Sequence, residues 1–257
     1  MLEDCLVSVI MPSYNCGQYI EESIRSVQAQ TYQNWELIIV DDCSQDMTVD
    51  VVMKLKEQDS RINLYHNIVN SGAAVSRNAA LRHANGRWIA FLDSDDLWEP
   101  VKLEQQVRFM EENGYKFTYT YYEEMDTDGN NTGVTVYGPQ RITKAGMFAF
   151  CWPGCLTVMY DASAVGLIQI EDIKKNNDYA MWLKVCQKAD CYLLPEVLAK
   201  YRRGRSGSVS SHSVSTMIKW HYKLFREAEK MNPLSSLWYT GVNLVCGFYK
   251  KRKYVKK

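Results

Sequence analysis

The chain has 257 residues, of which 46% are hydrophobic, so it is long enough for one large domain or for one domain with an appendage. Lys and Arg together number 30, and so do Asp and Glu, so the overall charge predicts no nucleic-acid partner. The eight cysteines show no C-x-x-C pair, and the amino terminus lacks the basic and apolar regions of a signal peptide. No uncharged apolar run reaches the roughly 18 residues of a membrane-spanning helix. We predict a cytoplasmic protein whose cysteines are reduced thiols.

Short strand-like runs alternate with helical patterns through the first half of the chain. The predicted strands cover residues 6–11, 37–40, 62–65 and 88–92, and they are mostly apolar. Apolar residues recur at helical spacing between them, residues 73–84 form an Ala-rich helix, and Pro100 opens a further helix. This order predicts an α/β fold with an open, mostly parallel sheet flanked by helices.

The second half of the chain has a different character. Residues 117–122 predict a strand, Asp128-Gly129-Asn130 predicts a turn, and residues 138–153 predict loops and short elements. Asp178 opens a helix, residues 193–201 form a last strand, and a mobile loop rich in Arg, Gly and Ser follows at 202–215. An apolar stretch at 234–249 then precedes six cations.

Polar side chains follow three of the predicted strands at the point where each strand ends. Tyr14 and Asn15 follow the first strand, Asp41 and Asp42 the second, and residues 93–96 the strand that contains Trp88. Because open α/β sheets bind ligands beyond the carboxyl ends of their strands, these residues are expected to share one crevice.

Residues 93–96 bring three carboxylates into four positions. Like charges this close repel each other, so we expect a proton or a cation to neutralise one or more of them. Oxygen ligands of this type suit Mg²⁺ or Mn²⁺, and such an ion commonly also holds phosphate oxygens. The alternative interpretation is a solvated acidic turn that caps the next helix.

Several short motifs occur in order along residues 6–205. They are Val7-Ser8-Val9-Ile10-Met11-Pro12-Ser13-Tyr14-Asn15, Gln30-Thr31-Tyr32, Ile39-Val40-Asp41-Asp42-Cys43-Ser44, Asn70-Ser71-Gly72-Ala73, Ser76-Arg77-Asn78, Ala84-Asn85-Gly86 and Phe91-Leu92-Asp93-Ser94-Asp95-Asp96. With these motifs the chain resembles the inverting family-2 glycosyltransferases of the GT-A fold, of the bacterial surface-polysaccharide type. The resemblance implies transfer of a sugar from a nucleotide sugar, and a GT-A sheet with a smaller acceptor-side subregion.

The resemblance also implies a division of the chain into three parts. Residues 1–115 form a nucleotide-sugar-binding α/β half, residues 116–215 an acceptor-binding and catalytic half, and residues 216–257 a helical and basic tail. It further implies a set of residues that contact the nucleotide sugar: Pro12, Tyr14, Asn15, Asp42, Asn70, Arg77, Asp93, Ser94, Asp95 and Arg203.

Roles within this set follow from the resemblance. The ring of Tyr14 stacks on the base, the carboxylate of Asp42 accepts a ring N–H, and Arg77 faces the diphosphate. Asp95 and Asp96 hold Mn²⁺ or Mg²⁺. Two alternatives stay open: Tyr14 as a core aromatic residue, and Arg77 as a surface residue of a helix.

Asn177-Asp178-Tyr179 resembles the family's acidic motif at the start of a helix, with Asn177 in place of an acidic residue. Asp178 is assigned as the general base. Burial raises its pKa and the helix amino terminus lowers it, so the sign of the shift is open. The alternative is a plain N-cap aspartate.

The family's Tyr-Arg-x-His motif is incomplete in this chain. Tyr201-Arg202-Arg203 continues without the His, which the family uses as a metal ligand. We predict that Arg203 or Arg205 neutralises the diphosphate instead, or that His212 approaches from the loop. A loop that closes over the donor also excludes water.

Aromatic and apolar residues beside lysines in the tail suit an anionic membrane surface. We predict peripheral contact with the inner face of the cell membrane, and a saccharide or lipid-linked saccharide as the acceptor. The alternative is a packed terminal helix with a disordered tail.

For the whole chain, the alternative function is a non-catalytic nucleotide-sugar-binding module. A Rossmann-type enzyme is disfavoured because no G-x-G-x-x-G or phosphate loop occurs. The expected donor is a uridine nucleotide sugar.

Overall fold

The structure is a computed structural model that describes residues 5–173, 175–204 and 214–256. The first half alternates strands and helices. Its elements are β1 (Val7–Ser13), α1 (Ile20–Gln28), β2 (Trp35–Asp41), α2 (Thr48–Gln58), β3 (Ile62–His66), α3 (Ala73–Arg82), β4 (Trp88–Phe91), β5 (Leu97–Trp98) and α4 (Lys102–Asn113). The predicted strands and helices are confirmed here, with ends that shift by a few residues.

The second half adds shorter elements and a helical carboxyl-terminal region. They are β6 (Phe117–Met125), β7 (Asn131–Val136), β8 (Arg141–Ile142), α5 (Lys144–Ala149), β9 (Met159–Asp161), α6 (Ala162–Val165), α7 (Asn177–Val185), β10 (Cys191–Arg202), α8 (Val214–Lys223), a π-helical turn (Leu224–Ala228), α9 (Pro233–Lys253) and β11 (Val255–Lys256). None of the described helices has both the length and the apolar character that would let it cross a membrane.

Eleven strands of the described residues form one sheet, whose main path runs β11-β7-β6-β9-β4-β1-β2-β3. The centre is parallel, because β1 pairs in parallel with both β2 and β4, and β2 pairs in parallel with β3. β9 then pairs antiparallel with β4 and β6, while β10 runs parallel to β6. The predicted parallel sheet is therefore confirmed at its centre, and the antiparallel strands beside it are an addition. The sheet continues across residue 115, and the three-part division stays a prediction.

The core lies on both faces of the sheet, because alternate strand residues point to opposite sides. Val9 and Met11 of β1 pack with α1 and α4, whereas Ile10 packs with α3 and α7. A close backbone contact explains the glycine of the Ala84-Asn85-Gly86 motif. A Cβ at Gly86 would lie 2.6 Å from the backbone nitrogen of Ser8. Glycine therefore lets the turn before β4 lie directly against β1.

Candidate active site

The loops after β1 and β2 are tied together at the carboxyl edge of the sheet. The backbone N–H of Asn15 donates to Ser44 Oγ (2.9 Å), and the Gln45 N–H donates to Asn15 Oδ1 (2.8 Å). Asn15 has a φ of 45°, in the left-handed region that asparagine tolerates better than most residues. Tyr14 is 46% exposed, so the alternative that its ring belongs to the core is wrong. Pro12 is buried inside β1.

Asp42 is a buried carboxylate that holds the start of α3. It accepts hydrogen bonds from Asn67 Nδ2 (2.7 Å), from the Ser71 N–H (2.8 Å) and from the Gly72 N–H (2.7 Å). Asn70, an exposed residue, donates from Nδ2 to the Asp42 carbonyl (3.0 Å). Gly72 has a φ of 87°, a conformation that glycine adopts without strain. Asp42 thus shapes the crevice, and its contact with a nucleotide base stays a prediction.

Arg77 joins the acidic loop to the start of α7. Its side chain is buried, so the alternative that it is a surface residue is wrong. One guanidinium nitrogen donates to Asp93 Oδ1 (2.5 Å) and another to Asn177 Oδ1 (2.6 Å). Burial opposes the charged form, but the nearby negative charges, chiefly the carboxylates of Asp93 and Asp178, together outweigh it and raise the pKa of Arg77. The predicted donor loop and the predicted base motif therefore meet at one cation.

The acidic loop after β4 contains one deeply buried carboxylate. Asp96 is 1% exposed; its Oδ1 accepts from the Arg202 N–H (2.8 Å), and its Oδ2 is buried without a hydrogen-bond partner among the described residues. Burial and the charges of Asp95 and Asp93 raise the pKa of Asp96 well above its usual range. This shift agrees with the expected neutralisation of one carboxylate. Ser94 is also buried, whereas Asp93 and Asp95 are half-buried.

A divalent cation fits the side chains of this loop only if a ligand completes its coordination. No group of three or more His, Cys, Asp or Glu side chains in the described ranges forms a ligand set for a metal. Asp95 and the orphaned Oδ2 of Asp96 are nevertheless two oxygen donors. Mg²⁺ is commonly held by one or two carboxylates together with substrate phosphates and water, which matches this pair.

Arg202 is a site residue that the sequence analysis missed. It is buried, and its Nε donates to the Asp95 carbonyl (2.9 Å) while another nitrogen donates to Glu22 Oε2 (2.6 Å). The backbone N–H of Arg202 also donates to Asp96 Oδ1, so this residue of β10 holds the acidic loop in place. The only sequence signal was its place in the Tyr-Arg motif.

Arg203 lies next to this brace but has a different partner. Its side chain is exposed and pairs with Glu124 Oε1 (2.7 Å). Its predicted diphosphate contact stays a prediction. Arg205, His212 and most of the predicted closing loop lie outside the described residues.

Asp178 lies in the first turn of α7. Its Oδ1 accepts from the Tyr179 N–H (2.8 Å), and Asn176 occupies the N-cap position, so the plain N-cap alternative is wrong. Burial raises the pKa of Asp178, and the charge of Arg77 lowers it only in part, so the net shift is upward. The sequence left the direction of the Asp178 pKa shift open. The structure gives an upward shift, which makes the carboxylate a stronger base.

The tail helix α9 reaches the same region, which the sequence did not indicate. Asn243 Nδ2 donates to the hydroxyl of Tyr179 (3.1 Å), the residue that follows Asp178. Lys250 donates to the Trp152 carbonyl (2.8 Å). Burial lowers the pKa of Lys250, and the negative charge of Asp178 offsets part of that shift. Of the six cations of the tail, Lys250 therefore packs against the protein, whereas Lys251, Arg252 and Lys253 are exposed.

The chain is similar to one protein family and to several known proteins. The family model described as Glycosyl transferase family 2 matches residues 8–154. TuaG of Bacillus subtilis, provisionally named a teichuronic acid biosynthesis glycosyltransferase, is 41% identical over 91% of this chain and 92% of its own. The Escherichia coli protein WfgD, a UDP-Glc:alpha-D-GlcNAc-diphosphoundecaprenol beta-1,3-glucosyltransferase, is 39% identical over 97% of this chain and 96% of its own. Among solved structures, S. aureus TarS 1–349 in complex with UDP superposes with a TM-score of 0.70 at 20% identity, over 96% of this chain and 73% of that chain.

Proposed function

This chain belongs to glycosyltransferase family 2, and we propose that it transfers a sugar from a UDP-sugar to a lipid-linked saccharide, with inversion, in surface-polysaccharide synthesis. The family, the GT-A fold and the glycosyltransferase class rest on the matches above. The UDP donor and the lipid-linked acceptor are supported by the names of the related proteins, since WfgD uses both.

One observation carries the proposal: the contact of Arg77 with Asp93 and Asn177, beside Asp178. A nucleotide sugar held by the acidic loop would present its anomeric carbon to Asp178, a half-buried carboxylate of raised pKa. A binding module has no need for such a base, and a partly desolvated carboxylate lowers the stability of a protein that gains nothing from it. The non-catalytic alternative is therefore the weaker one.

The proposed roles follow the shape of the crevice. Tyr14 stacks on the uracil, while Pro12, Asn15, Asp42 and Asn70 form the wall around the base and the ribose. The polar edge formed by Asp93, Ser94 and Asp95 faces the diphosphate side of the donor. Arg77 joins the two halves of the site and remains the proposed cation facing the diphosphate, and Arg203 is a second candidate for that contact.

Asp95 and Asp96 are the proposed holders of Mn²⁺ or Mg²⁺. A divalent ion bound there supplies positive charge that stabilises the leaving diphosphate. Arg202 contributes independently of the ion, because its N–H donates to the carboxylate of Asp96 and its Nε donates to the backbone carbonyl of Asp95, which together hold the loop in place.

Asp178 is the proposed general base. The acceptor hydroxyl oxygen forms a bond to the anomeric carbon from the side opposite the diphosphate, and Asp178 takes the hydroxyl proton. The bond between the anomeric carbon and the diphosphate oxygen breaks, and its electron pair leaves with the nucleotide. Attack from the opposite side inverts the configuration of the anomeric carbon.

The proposed location is the inner face of the cell membrane, with peripheral contact through the carboxyl-terminal tail. A lipid-linked acceptor is confined to a membrane, so an enzyme that works at the bilayer surface meets it at high local concentration.

The test is a transfer assay with a panel of UDP-, GDP- and dTDP-sugars and an N-acetylglucosamine diphosphate lipid, with Mn²⁺ or with EDTA. We expect one UDP-sugar to be transferred with Mn²⁺, transfer to stop with EDTA, and NMR of the product to give a β-linkage from an α-linked donor. Retention of the donor configuration would contradict the proposed base. Binding of a UDP-sugar without transfer to this lipid or to membrane extracts would favour the binding-module alternative.

A further inference from the structure

Helix α9 has two stripes of opposite chemistry on opposite sides. One stripe has 3- and 4-residue spacing and is apolar: Leu234, Leu237, Trp238, Val242, Val245, Phe248 and Tyr249. The other has the same spacing and is small or polar: Ser236, Thr240, Asn243, Gly247 and Lys250. At 3.6 residues per turn, the two sets lie about half a turn apart.

The polar stripe faces the protein. Ser236, Thr240 and Asn243 are buried, and Asn243 bonds to Tyr179 and to the Phe148 carbonyl (3.2 Å). A Cβ at Gly247 would lie 3.0 Å from the ring of Phe150, so the helix lies close against this part of the chain. These contacts fix the rotation of α9 about its axis.

The apolar stripe consequently faces outward. Leu237 is 62% exposed and Trp238 is 70% exposed, and Leu234, Val245 and Phe248 are exposed to a similar degree. A shallow groove of about 540 Å³ runs along this side between Leu234 and Cys246. An amphipathic helix in a globular protein normally turns its apolar side inward, so this orientation requires a covering partner.

The charges at the carboxyl end of the stripe indicate the chemistry of that partner. Lys251, Arg252 and Lys253 are exposed and lie one residue beyond Phe248 and Tyr249. The helix contains no Asp or Glu, so a second copy packed along it would bring no acidic partner from α9. Anionic lipid headgroups complement these cations, and Trp and Tyr are typical residues of the membrane interface.

We propose that the outward face of α9 lies in the headgroup region of an anionic lipid bilayer. The helix is 21 residues long, which corresponds to roughly 30 Å lying flat along the surface. The inference rests on the proposed function in one respect: it names the partner that brings a lipid-linked acceptor to Asp178. Because Asn243 connects the inner stripe to Tyr179, the bilayer-facing helix and the base helix are in direct contact.

The experiment is co-sedimentation of the full chain with phosphatidylcholine vesicles, with and without phosphatidylglycerol. The variants are Trp238→Glu and Leu237→Glu, and Met53→Glu, an exposed apolar residue of α2, is the matched control. Because all three side chains are exposed, we expect the thermal midpoints to stay close to that of the unmodified chain. A separate variant replaces Lys251, Arg252 and Lys253 with Gln.

We expect binding to vesicles that contain phosphatidylglycerol and a fall of about tenfold or more for Trp238→Glu or Leu237→Glu, with no change for Met53→Glu. Removal of the cations should weaken binding about fivefold for each charge at low salt. Equal binding of Trp238→Glu and the unmodified chain would overturn the inference. A lipid-free dimer that Trp238→Glu dissociates would also overturn it, because a second copy would then cover this face.

Vesicle binding needs neither donor nor acceptor, so its outcome is separate from that of the proposed function. A chain that binds vesicles but transfers no sugar contradicts only the proposed function. A chain that transfers sugar but ignores anionic vesicles contradicts only the inference about α9.

Discussion

Replacement of Asp178 by Asn separates catalysis from stability in this protein. The carboxylate accepts a hydrogen bond within its own helix from the Tyr179 N–H, and asparagine retains an oxygen that can accept it. Removal of a general base typically lowers a rate by about 10²–10⁴, which corresponds to about 2.7–5.4 kcal/mol in activation free energy. We expect a loss of kcat in this range.

Although Asp178→Asn should lose activity, we expect it to be as stable as the unmodified chain or more stable. Because burial raises the pKa of Asp178 above its unfolded value, the folded state binds this proton more tightly than the unfolded state does. Stability from this group is therefore present at low pH and is lost as the pH rises through the folded pKa. At neutral pH the ionised carboxylate opposes folding, and Asp178→Asn should unfold at an equal or higher temperature.

The assay is steady-state transfer of the sugar across a pH series, together with thermal unfolding of both proteins. Asp172→Asn, which changes an exposed aspartate of the segment before α7, is the control and should keep full activity. The rate of the unmodified enzyme should rise with pH through a pKa above the usual aspartate range. An Asp178→Asn variant that keeps more than about a tenth of kcat would refute the assignment of the base.

Three further predictions concern the donor side of the site. Asp96→Asn should raise the unfolding temperature in EDTA, by about 2–4 °C for each kcal/mol gained in the free energy of unfolding. The same variant should lose the stabilisation by Mn²⁺, and an unchanged response to Mn²⁺ would count against Asp96 as a ligand. Asp42→Ala should lower the free energy of unfolding by about 3 kcal/mol or more in urea titrations, since three accepted bonds are lost, and Asp42→Asn by less. Tyr14→Ala should weaken UDP binding by about 1–3 kcal/mol in calorimetry while Tyr14→Phe leaves it intact; equal loss in both would exclude stacking.

Much of the central sheet and of the crevice could be predicted from the sequence, because the signals there are local. Strands β1, β2 and β4 are apolar runs that end in polar residues, and parallel strands bring those ends to one edge. The antiparallel strand β9 was missed because its three residues depend on pairing with β4 and β6 and carry little pattern of their own.

The residues that brace the site could not be found in this way. Arg202 bonds to Asp96 across 106 positions of sequence, and Asn243 bonds to Tyr179 across 64. Apart from the place of Arg202 in the Tyr-Arg motif, nothing local distinguishes these two side chains from others of their type. Lys250 was grouped with the tail cations, although the 3.6-residue period puts it on the inner side of α9. The helical period predicts that α9 has two stripes, but only the packed structure shows which stripe lies against the rest of the protein.

Calorimetric titration of UDP in the presence of Mn²⁺ tests the central claim most directly, with the unmodified chain, Asp95→Asn and Asp178→Asn compared. We expect heat of binding that requires Mn²⁺, that falls at least about tenfold in affinity for Asp95→Asn, and that is retained by Asp178→Asn. Absence of heat for the unmodified chain, or equal affinity for the unmodified chain and Asp95→Asn, would contradict a nucleotide-sugar site at the carboxyl edge of this sheet.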